Sequence, residues 1–170
     1  MKRLLTLGCF FCALMVGLVG VRAAGANFAG TWELDKAKSE GLQGPAANAQ
    51  SNTLTVTQTD KVLTAVTKVV GADGQAMPST PFTYNLDGTE TTTEITGRMP
   101  GKAKNKVKWM SEGKILEINS TRDLSLQGQE FTVTVKEHWE LVEDGKVLKI
   151  HRTTESPRGT QEQKLAYNKK

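Results

Sequence analysis

The sequence predicts an all-β protein, an antiparallel up-and-down β-barrel of about eight to ten strands preceded by a signal peptide. Three observations lead to this prediction. After residue 26, no stretch of the 170-residue chain repeats its apolar residues at helical spacing. The same region alternates polar and apolar residues and is rich in Thr and Val, which is typical of strands with one buried face. Turn residues separate these stretches closely, and connections that short join antiparallel neighbours.

Residues 1–26 have the pattern of a secretory signal peptide, and residues 27–170 form the predicted barrel domain. A short basic start leads into an almost wholly apolar run, Leu4–Val21, and small residues then suit cleavage after Ala23 or Ala26. A retained membrane anchor is the alternative interpretation of this run. Removing 23 or 26 of the 170 residues leaves 147 or 144, the size of one domain. The sequence therefore predicts a secreted or periplasmic protein.

Loss of the signal peptide changes the charge and removes both cysteines. Lys2, Arg3 and Arg22 leave with it, so 19 basic residues remain against 18 acidic ones and the net charge falls from +4 to +1. A nearly neutral domain gives no support for a nucleic-acid partner. Cys9 and Cys12 lie in the same segment, which leaves no disulfide, thiol nucleophile or thiolate metal site. We expect a monomer without cofactor or metal.

Ten candidate strands follow one another along the domain. They are Phe28–Leu34, Ser51–Thr59, Val62–Val70, Thr80–Leu86, Thr89–Thr96, Lys102–Ser111, Lys114–Arg122, Glu130–Val142, Lys146–Glu155 and Thr160–Tyr167. A sheet of this size with one apolar face must fold over or close, because no helix is available to cover it. A β-sandwich is the alternative to the barrel, but it usually needs long crossing connections. Only residues 35–50 and 123–129 are predicted to form longer loops.

Turn signals fix the register of the last strands. A turn at Asp144-Gly145 places Trp139 opposite Ile150 and Glu137 opposite Arg152, all on one face. A turn at residues 112 and 113 similarly pairs Trp109 with Leu116 on that face. The proline-containing turn at residues 156–159 adds Gln163 beside Arg152. The predicted inner face is therefore apolar except for one row of polar residues.

The first strand, in the stretch NFAGTWELDKAKSE at residues 27–40, resembles the opening of the calycin superfamily, the lipocalins and fatty-acid-binding proteins. Those proteins begin with Gly-x-Trp, matched here by Gly30 and Trp32. The resemblance, closest to small secreted bacterial lipocalin-like proteins, implies a structural motif at one barrel end and a ligand in the interior. It also implies an arginine packed over Trp32, for which Arg152 is the late inward-facing candidate. The chain departs from the fatty-acid-binding type, since Leu165 stands where the arginine of a last-strand Arg-x-Tyr is expected before Tyr167.

The polar row has two interpretations. Arg152 and Glu137 could be a structural pair that closes one end of the barrel. Alternatively, Arg152 could bind an acidic head group, with Glu137 and Gln163 holding it in place. The candidate ligand-binding residues are Arg152, Glu137, Gln163, Trp139, Trp109, Tyr84 and Tyr167, although the aromatic ones suit a plain core equally well.

The outer face offers a second set of candidates. Lys102, Lys104, Lys106 and Lys108 alternate on one strand and could dock an anionic surface, or could guard a sheet edge against pairing. His138 and His151 are predicted to lie opposite each other on this face, where a third metal ligand is lacking.

These patterns predict a non-catalytic, exported protein that binds a small hydrophobic or amphipathic molecule inside the barrel. The alternative is a filled barrel that binds a protein or envelope component through its outer surface. A cofactor-free enzyme that uses Glu137 as a general base is a third hypothesis. It lacks support, because no cysteine remains and neither histidine is predicted to face inward.

Overall fold

The structure is a computed structural model and describes residues 25–170. It contains ten strands, a short α-helix and two 3-10 helices. These are β1 (Gly30–Leu34), a 3-10 helix (Lys36–Lys38), α1 (Gly44–Asn48), β2 (Ser51–Gln58), β3 (Val62–Val70), β4 (Phe82–Asn85), β5 (Thr91–Ile95), β6 (Gly101–Met110), a 3-10 helix (Ser111–Gly113), β7 (Ile115–Leu126), β8 (Gln129–Val142), β9 (Val147–Ser156) and β10 (Gly159–Lys169). Both cysteines lie outside the described part of the chain. So do residues 1–24 of the predicted signal peptide, which was expected to span residues 1–26.

The ten strands form one antiparallel sheet that rolls into a nearly closed barrel. Every strand pairs with its neighbours in sequence except at one seam, and β10 pairs with β1, which joins the first and last strands of the sheet. The seam lies between β4 and β5, where the Thr91 hydroxyl donates to the Thr83 carbonyl over 2.6 Å. The predicted up-and-down barrel is confirmed, and the sandwich alternative is wrong.

The predicted register is confirmed in the last five strands. Trp139 lies opposite Ile150 and Glu137 opposite Arg152, as the turn at residues 144 and 145 requires. Trp109 likewise lies opposite Leu116 across the β6–β7 hairpin. Register is strongly determined here, because a slip of one residue would turn the apolar side of each strand to water.

The predicted loop at residues 123–129 is wrong. Strand β7 continues to Leu126, and β8 begins at Gln129 after a two-residue turn. Gln127 and Gly128 both adopt left-handed backbone angles, with φ of 53° and 82°, as a tight hairpin turn of this kind needs. Glutamine is an unusual first residue for such a turn, which explains why the sequence signal is weak there.

One half of the barrel is filled by side chains, and we call its terminus the closed end. Phe28 is fully buried, stacks on Trp109 at 6.1 Å and meets the edge of Trp139 at 5.8 Å between ring centroids. Gln58 seals this end, because its side chain accepts from the Phe28 amide and donates to the Ala26 carbonyl, each over 2.9 Å. Residues 26–28 therefore belong to the barrel.

The opposite terminus, where β1 ends and β2 begins, is the open end. The connection between these strands first follows β10, where Glu40 and Lys164 exchange backbone hydrogen bonds. It then forms α1, and Leu42 packs against the apolar core. No helix within residues 25–170 has the length and apolar character needed to cross a membrane.

Candidate functional site

A layer of polar side chains crosses the barrel interior above the filled half. Arg152 Nε donates to Glu137 Oε1 over 2.6 Å, and Trp139 Nε1 donates to Glu137 Oε2 over 2.7 Å. Arg152 Nη1 also reaches Gln163 Oε1 at 3.4 Å, and Gln163 Nε2 donates to the Gly41 carbonyl over 3.3 Å. The network thus links the core residue Trp139 to the connection at the open end.

The Arg152–Glu137 ion pair lies inside the barrel, and each charge stabilises the charged form of the other. Burial acts to raise the pKa of Glu137, but the charge of Arg152 and the Trp139 hydrogen bond outweigh it, so the pKa lies below its ordinary value. Burial also disfavours the charged form of Arg152, yet attraction to Glu137 leaves the pKa of Arg152 above its ordinary value. Both groups are charged at neutral pH.

The expected arginine over Trp32 is absent from that position. Arg152 is engaged by Glu137, and the cation near the Trp32 ring is Lys169, whose Nζ lies 5.2 Å from the ring centroid. The Trp32 indole donates to the Phe28 carbonyl over 2.9 Å. Gly30 next to it has a φ of 149°, a backbone region that favours glycine, and a Cβ there would lie 3.1 Å from Lys169 Cε. Gly30 and Trp32 thus form a structural motif at the closed end.

A second interior arginine, Arg122, was missed by the sequence analysis. It extends from β7 to the inner side of β4, where its guanidinium carbon lies 4.9 Å from the Phe82 ring centroid. Its Nε donates to Ser120 Oγ over 3.3 Å, and it forms no ion pair with any residue of the described range. Arg122 lies an even number of residues after Leu116 and Ile118 on β7, so its side chain points to the same face as theirs. The alternation along this strand was therefore sufficient to predict that Arg122 faces the interior.

The predicted aromatic residues all lie inside the barrel, but they divide between two roles. Trp139 is buried and Trp109 half-buried, and both pack around Phe28 as core. Tyr84 and Tyr167 are buried next to the polar layer, where burial raises the pKa of Tyr167 to about 12 and that of Tyr84 further. Both phenols are therefore neutral hydrogen-bonding groups at neutral pH.

Towards the open end the inward-facing apolar side chains are less completely buried than in the filled half. Four apolar side chains that face inward there are only half-buried: Phe82, Leu124, Phe131 and Val133. The same inner-face alternation gives near-complete burial at Leu116 and Ile118 in the filled half. Half-exposed apolar side chains on the concave side of a barrel are the usual lining of a ligand site.

Two inward-facing amide oxygens lack a partner. Asn52 Oδ1 and Asn105 Oδ1 accept no hydrogen bond from the described residues, although the two side chains are buried. Asn105 lies opposite Ser120, next to Arg122. A buried acceptor without a donor costs about 1–3 kcal/mol. This part of the interior thus offers both a cation and an unused acceptor.

The outer face carries the predicted lysines and histidines. Lys102 and Lys106 pair with Glu94 at 3.2 Å and Glu90 at 3.5 Å. Lys104 and Lys108 are exposed and form no ion pair within residues 25–170. Their strand, β6, pairs with β7 along its whole length but with β5 only over residues 101–105, so Lys102 and Lys104 do not lie on a sheet edge.

The two histidines face each other with ring centroids 6.5 Å apart, and His138 bonds to Glu117 over 2.9 Å. They flank an outer groove of about 470 Å³ that also contacts Ile115 and Ala166. Among residues 25–170, no cluster of three or more His, Asp or Glu side chains could hold a metal ion.

Comparison with known proteins identifies the fold. A crystal structure of zebrafish ileal bile acid-binding protein complexed with cholic acid matches with a TM-score of 0.54 and 16% sequence identity. The match covers 84% of this chain and 98% of that one. No protein-family model and no curated protein sequence matches the chain. The chain therefore has the ten-stranded barrel fold of the calycin type.

Proposed function

We propose that this protein is an exported, non-catalytic carrier that binds a small amphipathic molecule in the open half of its barrel. One observation carries the proposal: apolar side chains on the concave face change from buried to half-exposed above the polar layer. That change is expected where a ligand, instead of protein atoms, completes the packing. The structural neighbour contains cholic acid, an amphipathic acid, which supports the same chemical class.

Binding to a fluorescent amphipath tests this proposal. A naphthalene-sulfonate probe titrated against the purified protein is expected to saturate in the low micromolar range and to be displaced by lipids. Val133→Trp places a large side chain into the open half and should weaken binding by at least tenfold. Thr134→Trp is the matched control, because Thr134 is exposed on the opposite face of the same strand. Equal binding by both variants would contradict an interior site.

The outer surface is the second candidate for a binding function. It is favoured by Lys104 and Lys108, which lie on the outward face of β6 on either side of Lys106 and form no ion pair within residues 25–170. Cosedimentation with vesicles rich in phosphatidylglycerol, compared between the natural protein and a Lys104→Glu/Lys108→Glu variant, tests it. Vesicle binding that depends on these lysines, together with no saturable interior binding, would favour the surface function.

Export is part of the proposal and rests on the basic and apolar pattern of residues 1–23. The structure supports cleavage after Ala23 over cleavage after Ala26. The Ala26 amide donates to the Gly113 carbonyl over 2.8 Å, and the Ala26 carbonyl accepts from Gln58. Cleavage after Ala26 would remove both contacts from the closed end.

A further inference from the structure

The polar layer inside the barrel contains unequal numbers of positive and negative charges. Among the described residues, it holds two guanidinium groups, those of Arg122 and Arg152, and one carboxylate, that of Glu137. Arginine stays protonated in proteins, so this layer carries one unmatched positive charge. Arg122 is half-buried, so water compensates part of its charge, and an opposite charge would compensate the rest.

Each oxygen of Glu137 already accepts one hydrogen bond, and neither bond comes from the second arginine. Its Oε1 accepts from Arg152 at 2.6 Å and its Oε2 accepts from Trp139 at 2.7 Å. The pair is therefore complete within the protein, and Arg152 has little need of an external anion. This assigns Arg152 to the structural interpretation that the sequence left open.

Arg122, unlike Arg152, has no carboxylate partner among the described residues. One of its nitrogens bonds to Ser120 Oγ and its planar group lies near Phe82, but its terminal nitrogens donate to no described side chain or carbonyl. Burial lowers the pKa of Arg122, and the attraction of Glu137 opposes this effect without reversing it. The free edge of a guanidinium fits the two oxygens of a carboxylate.

We propose that Arg122 binds the carboxylate of the ligand, while the ligand's apolar part lies along Leu124 and Phe131 towards the open end. The inference deepens the proposed function and rests on it. Phe82 holds the guanidinium against β4, and Ser120 fixes its Nε, so the free edge is oriented before the ligand arrives. Pre-orientation of this kind reduces the entropy lost on binding.

The test compares an acid with its uncharged analogue. A dansyl-labelled undecanoic acid and its methyl ester are titrated against the purified protein and against the Arg122→Met variant. The natural protein should bind the acid at least tenfold more tightly than the ester. In Arg122→Met the affinity for the acid should fall to that of the ester, whereas the affinity for the ester should change by less than threefold.

Two control variants locate the effect. Lys104→Met removes one positive charge from the outer face and should leave the preference for the acid unchanged. Glu137→Gln/Arg152→Met removes the internal ion pair as a unit and leaves Arg122 in place, so it should also keep the preference. Loss of the preference in that double variant would assign the carboxylate to Arg152 and overturn the inference.

The failure of the inference differs from the failure of the proposed function. If the natural protein binds the ester as tightly as the acid, the interior site stands and the role of Arg122 is wrong. If neither probe binds, both are wrong. Should Arg122→Met fail to fold, Arg122→Gln replaces it, and the same loss of the preference for the acid is expected.

Discussion

Replacing Glu137 by glutamine should destabilise the barrel, because it leaves the Arg152 charge without its partner. Glu137 is 5% exposed, and the Arg152 side chain is 32% exposed, so water compensates only part of the loss. Breaking a fully buried pair costs about 3–5 kcal/mol, and the partial exposure of Arg152 reduces this to about 2–3 kcal/mol. Glutamine keeps an oxygen that can accept from Trp139, so the loss reports on the charge of Glu137 and its hydrogen bond from Arg152. The melting temperature should fall by about 4–12 °C.

Urea unfolding followed by tryptophan fluorescence provides the free energies for a double-mutant cycle. Each single variant, Glu137→Gln or Arg152→Met, leaves the other member of the pair without its partner, whereas the double variant removes both members. We expect the double variant to lie within about 1 kcal/mol of the natural protein. A Glu137→Gln loss below about 0.5 kcal/mol, or a double variant as unstable as the sum of the singles, would refute a coupled interior ion pair.

Three further predictions concern other parts of the molecule. The hydrogen bond with His138, with weaker contributions from Asn119 and Lys136, holds the pKa of Glu117 at about 2, below its ordinary 4.5. The stabilising effect of the Glu117 carboxylate is therefore complete above pH 4.5 and lost as pH falls towards 2. Glu117→Gln should lower the unfolding free energy at neutral pH by about 1 kcal/mol, and the unfolding free energy of the variant should fall less steeply between pH 4.5 and 2. Urea titrations at several pH values measure both effects, and an unchanged pH dependence would contradict the prediction. Asn105→Leu removes the amide oxygen without a partner and also the Nδ2 donor that reaches Thr93 Oγ1 at 3.3 Å. These opposing effects should keep the unfolding free energy within about 1 kcal/mol of the natural value, and a loss above about 2 kcal/mol in urea titration would mean that the oxygen is satisfied. The intact mass of the exported protein should correspond to a chain that begins at Ala24, and a start after Ala26 would be inconsistent with the contacts of that residue.

The fold could be predicted from the sequence because two signals agreed. Turn residues set the register, and the alternation of side chains then placed apolar groups on one side of successive strands. The pairs of Trp139 with Ile150 and Glu137 with Arg152 follow from these signals alone. The turn at Gln127 and Gly128 was missed because its first residue is not one that usually adopts the left-handed angles it requires.

The candidate site could be predicted only in part. Arg152, Glu137 and Gln163 follow from cross-strand pairing and do meet inside the barrel. Arg122 was overlooked because the predicted strand ended at that residue, although its parity was correct. Its approach to Phe82 joins β7 to β4 across the interior, a contact between residues that are distant in the sheet, and local patterns carry no information about such contacts.

A crystal structure of the protein with the dansyl-labelled acid would test the central claim most directly. The account predicts ligand density in the open half of the barrel, with carboxylate oxygens about 2.7–2.9 Å from the terminal nitrogens of Arg122. The Arg152–Glu137 pair should be unchanged in the complex. Density confined to the outer groove beside Ala166, or a carboxylate bound to Arg152 with Glu137 displaced, would contradict it.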